Sequence, residues 1–195
     1  GGSGFLGNEI ANEFYRSGFE TLIADKNRPA KKNDKIKFFK IDIQNENDLK
    51  KIIKKDMIVV HAAGVSSIEE AYKNPKKTIN LNIVGSYNVI KVSCLKKISR
   101  LIFTSSIYVQ SNKGSFYRLS KQAVESMIEV FNEKKQLPYT IIRYGSLYGL
   151  NSQKWNFIKK ILLSFKYKKK IKSLYPKNLK RNYIHVNDAC LLYTS

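Results

Sequence analysis

Short runs rich in Val, Ile and Phe alternate along the chain with longer segments in which apolar residues recur at helical spacing. The runs predict strands over 21–24, 37–41, 57–61, 101–104 and 139–143. The periodic segments predict helices over 7–17, 47–54, 79–95 and 119–134. Strands joined by crossover helices make a parallel sheet, and this order reads as an α/β domain with a doubly wound parallel sheet. The rhythm gives way to a lysine-rich stretch after Gly149, which divides 1–149 from 150–195. Both ends are expected to be cut. A glycine loop opens the chain with no strand ahead of it, and Cys190 to Ser195 reads like a translated sequencing adapter.

With 195 residues, 43% of them hydrophobic, the chain is sized for one domain with a real core. No run of roughly 18 apolar residues and no signal peptide is visible, so membrane insertion and secretion are not expected and the cytoplasm is the default. Cys94 and Cys190 form neither a metal spacing nor a disulfide framework. A formal charge of +21 would attract polyanions. The excess is scattered lysine accompanied by Ile and Asn, a mixture expected of AT-rich coding sequence, while arginine, the preferred base reader, is scarce. No specific nucleic-acid partner is therefore expected. The run from Lys159 to Lys180 reads as a solvated helix face.

The first chemistry lies in Gly1-Gly2-Ser3-Gly4-Phe5-Leu6-Gly7, glycines at three-residue spacing directly before a helix. Backbone can there approach a pyrophosphate closely, and a helix N-terminus offers N–H donors. Asp25 ends the next strand about twenty residues on, where a carboxylate accepts from adenosine ribose hydroxyls. It would repel a 2′-phosphate, which favours NAD over NADP, although Lys26 and Arg28 follow and could offset the repulsion.

The second is Tyr117-Arg118-Leu119-Ser120-Lys121. Residues four apart share a helix face, so the Lys ammonium is expected to favour the phenolate and lower its pKa toward neutrality, making Tyr117 a general base. The preceding strand ends in Thr104-Ser105-Ser106, whose hydroxyls point into the ligand crevice of a parallel sheet. His61 and His185 lack Cys, Asp or Glu at ligand spacing and read as structural, so no metal is expected. Asn82 reads as an amide that holds neighbouring backbone.

With Asp42-Ile43, His61-Ala62-Ala63, Asn82 to Ser86, Arg143-Tyr144-Gly145-Ser146-Leu147-Tyr148-Gly149 and Arg181 to Asp188 in the same order, the chain resembles the NAD-dependent epimerase/dehydratase branch of the extended short-chain dehydrogenase/reductases. The resemblance implies a Rossmann-type NAD-binding domain over 1–149 and the start of a small C-terminal substrate lobe over 150–195. It implies cofactor contacts at Gly1, Gly4, Phe5, Leu6, Gly7, Asp25, Asp42, Ile43, Ala62, Ala63, Lys121, Tyr144 and Ser146. Within that set Asp42 and Ile43 flank the adenine, Ala62 and Ala63 line phosphates and ribose, and Lys121 also bonds the nicotinamide ribose. Ser106, Tyr117 and Lys121 would be catalytic, and Ser106 and Arg181 would hold a nucleotide-sugar substrate, the arginine gripping its diphosphate. A homodimer would form through the helices over 79–95 and 119–134.

The departures narrow the activity. Family 4,6-dehydratases follow the Ser106 position with an Asp-Glu pair, whereas Ile107 and Tyr108 stand here, which disfavours dehydration. Gln110 and Ser111 replace a common Tyr-Gly, and Arg118 stands where glycine is common. The resemblance thus implies an NAD-dependent sugar-nucleotide epimerase working by transient hydride transfer at a sugar carbinol. A nucleotide-sugar reductase or dehydrogenase, or a non-catalytic NAD(P)-binding sensor, stands as the alternative.

Overall fold

The computed structural model describes residues 1–30, 33–167 and 182–193. Helix α1 (Phe5–Arg16) leads to strands β1 (Leu22–Asp25) and β2 (Lys37–Lys40), helix α2 (Glu46–Ile52) and strand β3 (Ile58–His61). After α3 (Ile68–Lys73) a continuous helical run comprises α4 (Pro75–Thr78), a π-helical turn at Ile79–Val84, and α5 (Gly85–Leu95). Strand β4 (Arg100–Ser106) passes through a 3-10 turn at Ile107–Gln110 into α6 (Ser115–Lys135), followed by β5 (Tyr139–Tyr144) and β6 (Ser146–Tyr148). The remaining elements are α7 (Phe157–Lys166), β7 (Tyr183–His185) and α8 (Val186–Leu191).

Every strand pairing described is parallel, as the alternation of strand and helix predicts. The hydrogen-bonded orders are β1-β2, β3-β4-β5 and β6-β7. The glycine loop lies between the C-terminal ends of β1 and β3: Gly2 N–H donates to Ala24 O at 3.3 Å, and Gly1 sits against Ala62 and Ala63.

Helices cover both faces, and β4 shows it residue by residue. Leu101 and Phe103 enter a core built with Val89, Ile90 and Val92 of α5 and Val124 and Ile128 of α6. Ile102, on the opposite face, enters a second core with Ile10 and Phe14 of α1 and Val186, Ala189 and Cys190 of α8. This period of two is the pleat of a strand buried on both sides, and it makes β4 a near-continuous apolar run. Cys190 and Tyr193, in the adapter-like tail, are both buried in the second core.

The predicted strands match within a few residues; β4, buried on both faces, must be apolar, whereas β2 is mostly exposed and is marked by its Phe38-Phe39 pair between lysines. Helices α3, α4 and α8 and strand β6 were not predicted; each is six residues or shorter, too short for a periodic signal to stand out, while α7 begins the lysine-rich run that reads as a helix face. Among the described residues no helix is long and apolar enough to cross a membrane.

Candidate active site

The C-terminal ends of β3, β4 and β5 lie along one edge, and the glycine loop joins the end of β1 to that of β3; it is on this edge that a parallel α/β sheet opens its ligand crevice. The glycine loop forms its first wall. Helix α1 begins with Gly4 as its cap, with no side-chain cap bond and no acidic residue in the first turn. Its leading N–H groups and dipole are therefore uncontested by a side chain, as an anion site requires. The loop closes through Gly4 N–H to Gly1 O at 3.2 Å, and a Cβ on Gly7 would overlap that carbonyl. Phe5 and Leu6 of the same turn pack their side chains on the second core. A cavity of about 270 Å³ opens beside the loop, lined in part by Ser3, Gly4, Phe5, Asn8 and Lys159.

Asp25 ends β1 and faces the loop: its Oδ2 accepts from Ser3 N–H at 3.1 Å and its Oδ1 from Asn27 N–H at 3.1 Å. The two neighbouring cations are engaged elsewhere, Lys26 with Asp42 at 2.9 Å and Arg28 over the Phe38 ring at 5.2 Å. Burial works to raise the Asp42 carboxyl, but the Gln44 N–H and Lys26 outweigh it and hold it below the usual range. Ile43 turns its side chain into the main core beside Gly85, so only its backbone is presented outward, and its carbonyl takes Asn88 Nδ2 at 3.1 Å. Tyr144 likewise buries its ring in the second core, its hydroxyl 2.5 Å from that of Tyr193. Ser146 donates its N–H to Asn182 O at 2.8 Å as β6 begins. Arg181 lies outside the described residues.

The far wall is the end of β4 and the first turns of α6. Ser106 is buried as the last residue of β4, its Oγ accepting from Tyr108 N–H at 3.3 Å. Lys121 is buried as well; its Nζ donates to Thr104 O at 2.8 Å and lies 4.7 Å from the Phe103 ring centroid and 5.9 Å from that of Tyr117. Ser106, Tyr117 and Lys121 are thus brought together as the sequence predicts.

Their electrostatics differ from the expectation. The Tyr117 phenol is pushed up rather than down: burial raises it, the Ser106 hydroxyl beside it lowers it, and Tyr108 raises it. The Lys121 ammonium is not among these influences, since it is turned to the Thr104 carbonyl. Four-residue spacing fixes a shared face but not where a long side chain aims its charge. Burial brings the Lys121 amine itself down to about 8, against the opposing field of Glu125.

Behind the pair, Asn82 on the π-helical turn accepts from Val65 N–H at 2.7 Å and donates to Val65 O at 3.1 Å and Ser120 Oγ at 3.0 Å. Asn82 therefore holds backbone, as read from the sequence. His61 is buried and stacked on Phe103, its Nε2 2.7 Å from Ser86 Oγ, and burial brings it down to about 3, a neutral ring. His185 caps α8 by accepting from Asn187 N–H at 3.3 Å. Among the described residues no group of three or more His, Cys, Asp or Glu could hold a metal ion. Glu125 was missed by the sequence reading, although it stands four residues after Lys121 on the same face of α6.

The family profile described as NAD dependent epimerase/dehydratase matches residues 1–194. A UDP-glucose 4-epimerase of Rickettsia bellii is 27% identical over 165 residues, covering 75% of this chain and 47% of that protein. The chain spans about half the length of the curated relatives it matches. The structure is similar to that of the Thermus thermophilus UDP-glucose 4-epimerase in complex with NAD, with a TM-score of 0.87, 20% identity, and coverage of 100% of this chain and 71% of that one. It is also similar to a dTDP-glucose 4,6-dehydratase double mutant from Streptomyces venezuelae with NAD bound, with a TM-score of 0.85, 17% identity, and coverage of 97% and 68%. At these identities the structural likeness carries the fold.

Proposed function

The chain belongs to the NAD-dependent epimerase/dehydratase family, and from that premise we propose that it acts as an NAD-dependent sugar-nucleotide epimerase. The observation that carries the reading is the grouping of Ser106, Tyr117 and buried Lys121 at the C-terminal end of β4, on the sheet edge that also carries the glycine loop. The loop suits a dinucleotide: its tight closure needs glycine at position 7, α1 has no side-chain cap, and Asp25 ends β1 where a ribose diol can be bound. Bound there, NAD supplies the hydride acceptor at the sugar carbinol carbon.

The residues of this chain handle the proton and the oxygen. Tyr117 takes the hydroxyl proton as the carbinol is oxidised to a ketone and returns it when the hydride comes back on the other face. Ser106 orients the oxygen by hydrogen bonding. Burial holds the phenol above its ordinary value, so its activation depends on positive charge brought near it. Lys121, its Nζ 5.9 Å from the Tyr117 ring centroid, supplies that charge once redirected from Thr104 O. Arg181 would hold the substrate diphosphate. Ile107 and Tyr108 after Ser106 provide no acid and base for eliminating water, which separates this reading from a 4,6-dehydratase.

The test is incubation of purified protein with UDP-hexoses and NAD, with sugars read by NMR and cofactor by absorbance. Epimerised sugar without net cofactor reduction is expected. Net cofactor turnover without epimerisation would replace the reading by a nucleotide-sugar dehydrogenase or reductase, and binding of NAD without either reaction by a sensor module.

A further inference from the structure

Beneath Tyr117 and Lys121 lies a buried carboxylate to which the reaction above assigns no role. Tyr117, Lys121 and Glu125 follow one another at four-residue intervals on α6 and so share one face. Glu125 is only 5% exposed. Its Oε1 accepts from Ser105 Oγ at 2.5 Å and from Arg143 Nε at 3.1 Å, and its Oε2 accepts from Arg143 Nη2 at 2.6 Å. Ser105 and Arg143 are register partners on β4 and β5. The residues that flank Ser105 are Thr104, whose carbonyl takes the Lys121 amine, and Ser106. A carboxylate removed from water is costly unless fully bonded, and here its bonds join three elements at the level of the site.

We propose that Glu125 is a positioning residue for the Tyr117–Lys121 pair: clamped between Ser105 and Arg143, it fixes α6 on the ends of β4 and β5 and sets its carboxylate one helical turn from Lys121, close enough for its charge to act on the amine. This rests on the roles given above to Tyr117 and Lys121. Burial alone favours the neutral amine, and Glu125 is the charge that opposes it. Among the described residues, the other titratable groups facing Lys121 offer no negative charge. Tyr117 on its own helix is a neutral phenol, and His61 from β3 is a neutral ring. Arg143 from β5 acts from the far side of the carboxylate, where Glu129 also faces it. A cavity of about 310 Å³ reaches the Glu125–Arg143 pair from outside between Gln110, Gln122 and Glu129, which gives the clamp a wet outer side.

The test is an NMR titration of the Lys121 amine in protein carrying ε-13C lysine, its signal identified by its loss in Lys121→Arg. In Glu125→Gln, which keeps the size of the side chain, the midpoint is expected to fall by about one unit or more. In Arg143→Gln, which removes a cation beyond the carboxylate, it is expected to rise. An unchanged midpoint in folded Glu125→Gln overturns the proposal, and should that variant not fold, a fall or no change in Arg143→Gln does so. Where epimerisation is measured, the alkaline limb of kcat/KM should move to lower pH in Glu125→Gln; a purely structural role would lower the rate at every pH and leave the limb in place. The titration needs no substrate. A protein that epimerises nothing would therefore sink the proposed function while the midpoints still decide the role of Glu125.

Discussion

Asn82 Nδ2 donates to Ser120 Oγ at 3.0 Å, and Ser120 Oγ–H in turn donates to Tyr117 O at 2.8 Å. The π-helical turn is thereby tied to the stretch of α6 that carries both Tyr117 and Lys121. Such turns are frequent at functional sites. Here the turn carries Asn82, a buried amide that also satisfies both backbone groups of Val65.

Asn82→Ala is accordingly expected to leave a buried N–H and C=O without partners. The cost should be about 2–4 kcal/mol of unfolding free energy. Urea denaturation checks it, and a midpoint equal to the parent's would mean that water replaces the amide without loss.

Tyr117→Phe removes one hydroxyl from a ring that otherwise keeps its packing. Turnover is expected to fall at least about a hundredfold, while NAD affinity measured by calorimetry changes little. A variant that retained its rate would exclude Tyr117 as the base.

His61 makes stability depend on pH. Burial holds its folded-state value at about 3, below the ordinary 6.5, so the unfolded chain binds the extra proton first as pH falls. The contribution is fully present above about pH 6.5 and is lost progressively toward pH 3. Chemical denaturation from pH 8 to 4 should show the decline, and His61→Gln should flatten it. A slope unchanged by that substitution would place the effect on carboxylates instead.

Gly7→Ala puts a methyl group into the Gly1 carbonyl. The loop must open to admit it, at roughly 1–3 kcal/mol of stability and with NAD binding weaker by roughly tenfold, the equivalent of one close contact. Thermal melts with and without NAD measure both. Parent-like affinity would show that loop closure is not needed for the dinucleotide.

Much of this was legible before the fold. The central strand β4 announced itself because it must be apolar on both faces, and the glycine loop because only glycine permits the approach of Gly7 to Gly1. Tyr117 and Lys121 were legible through helical spacing combined with a hydroxyl-rich strand end. Glu125 was not, since a carboxylate four residues after a lysine is ordinarily a surface pair; only the register of β4 with β5, which sets Ser105 beside Arg143, makes it a buried clamp.

The sequence by itself determined the local matters: the main strands and helices, where the glycine loop lies, which residues share a face of α6, and that Ser106 ends a strand. These depend on periodicity and on residue types within a few turns of one another. The tertiary structure decided where each charge points. It turned Lys121 to the Thr104 carbonyl, raised the Tyr117 phenol by burial, neutralised His61 against Ser86 and Phe103, and sent the Ile43 and Tyr144 side chains into the cores. Ionisation and side-chain direction depend on desolvation and on partners from distant segments, and those are set only when the sheet and its two helical layers close around them.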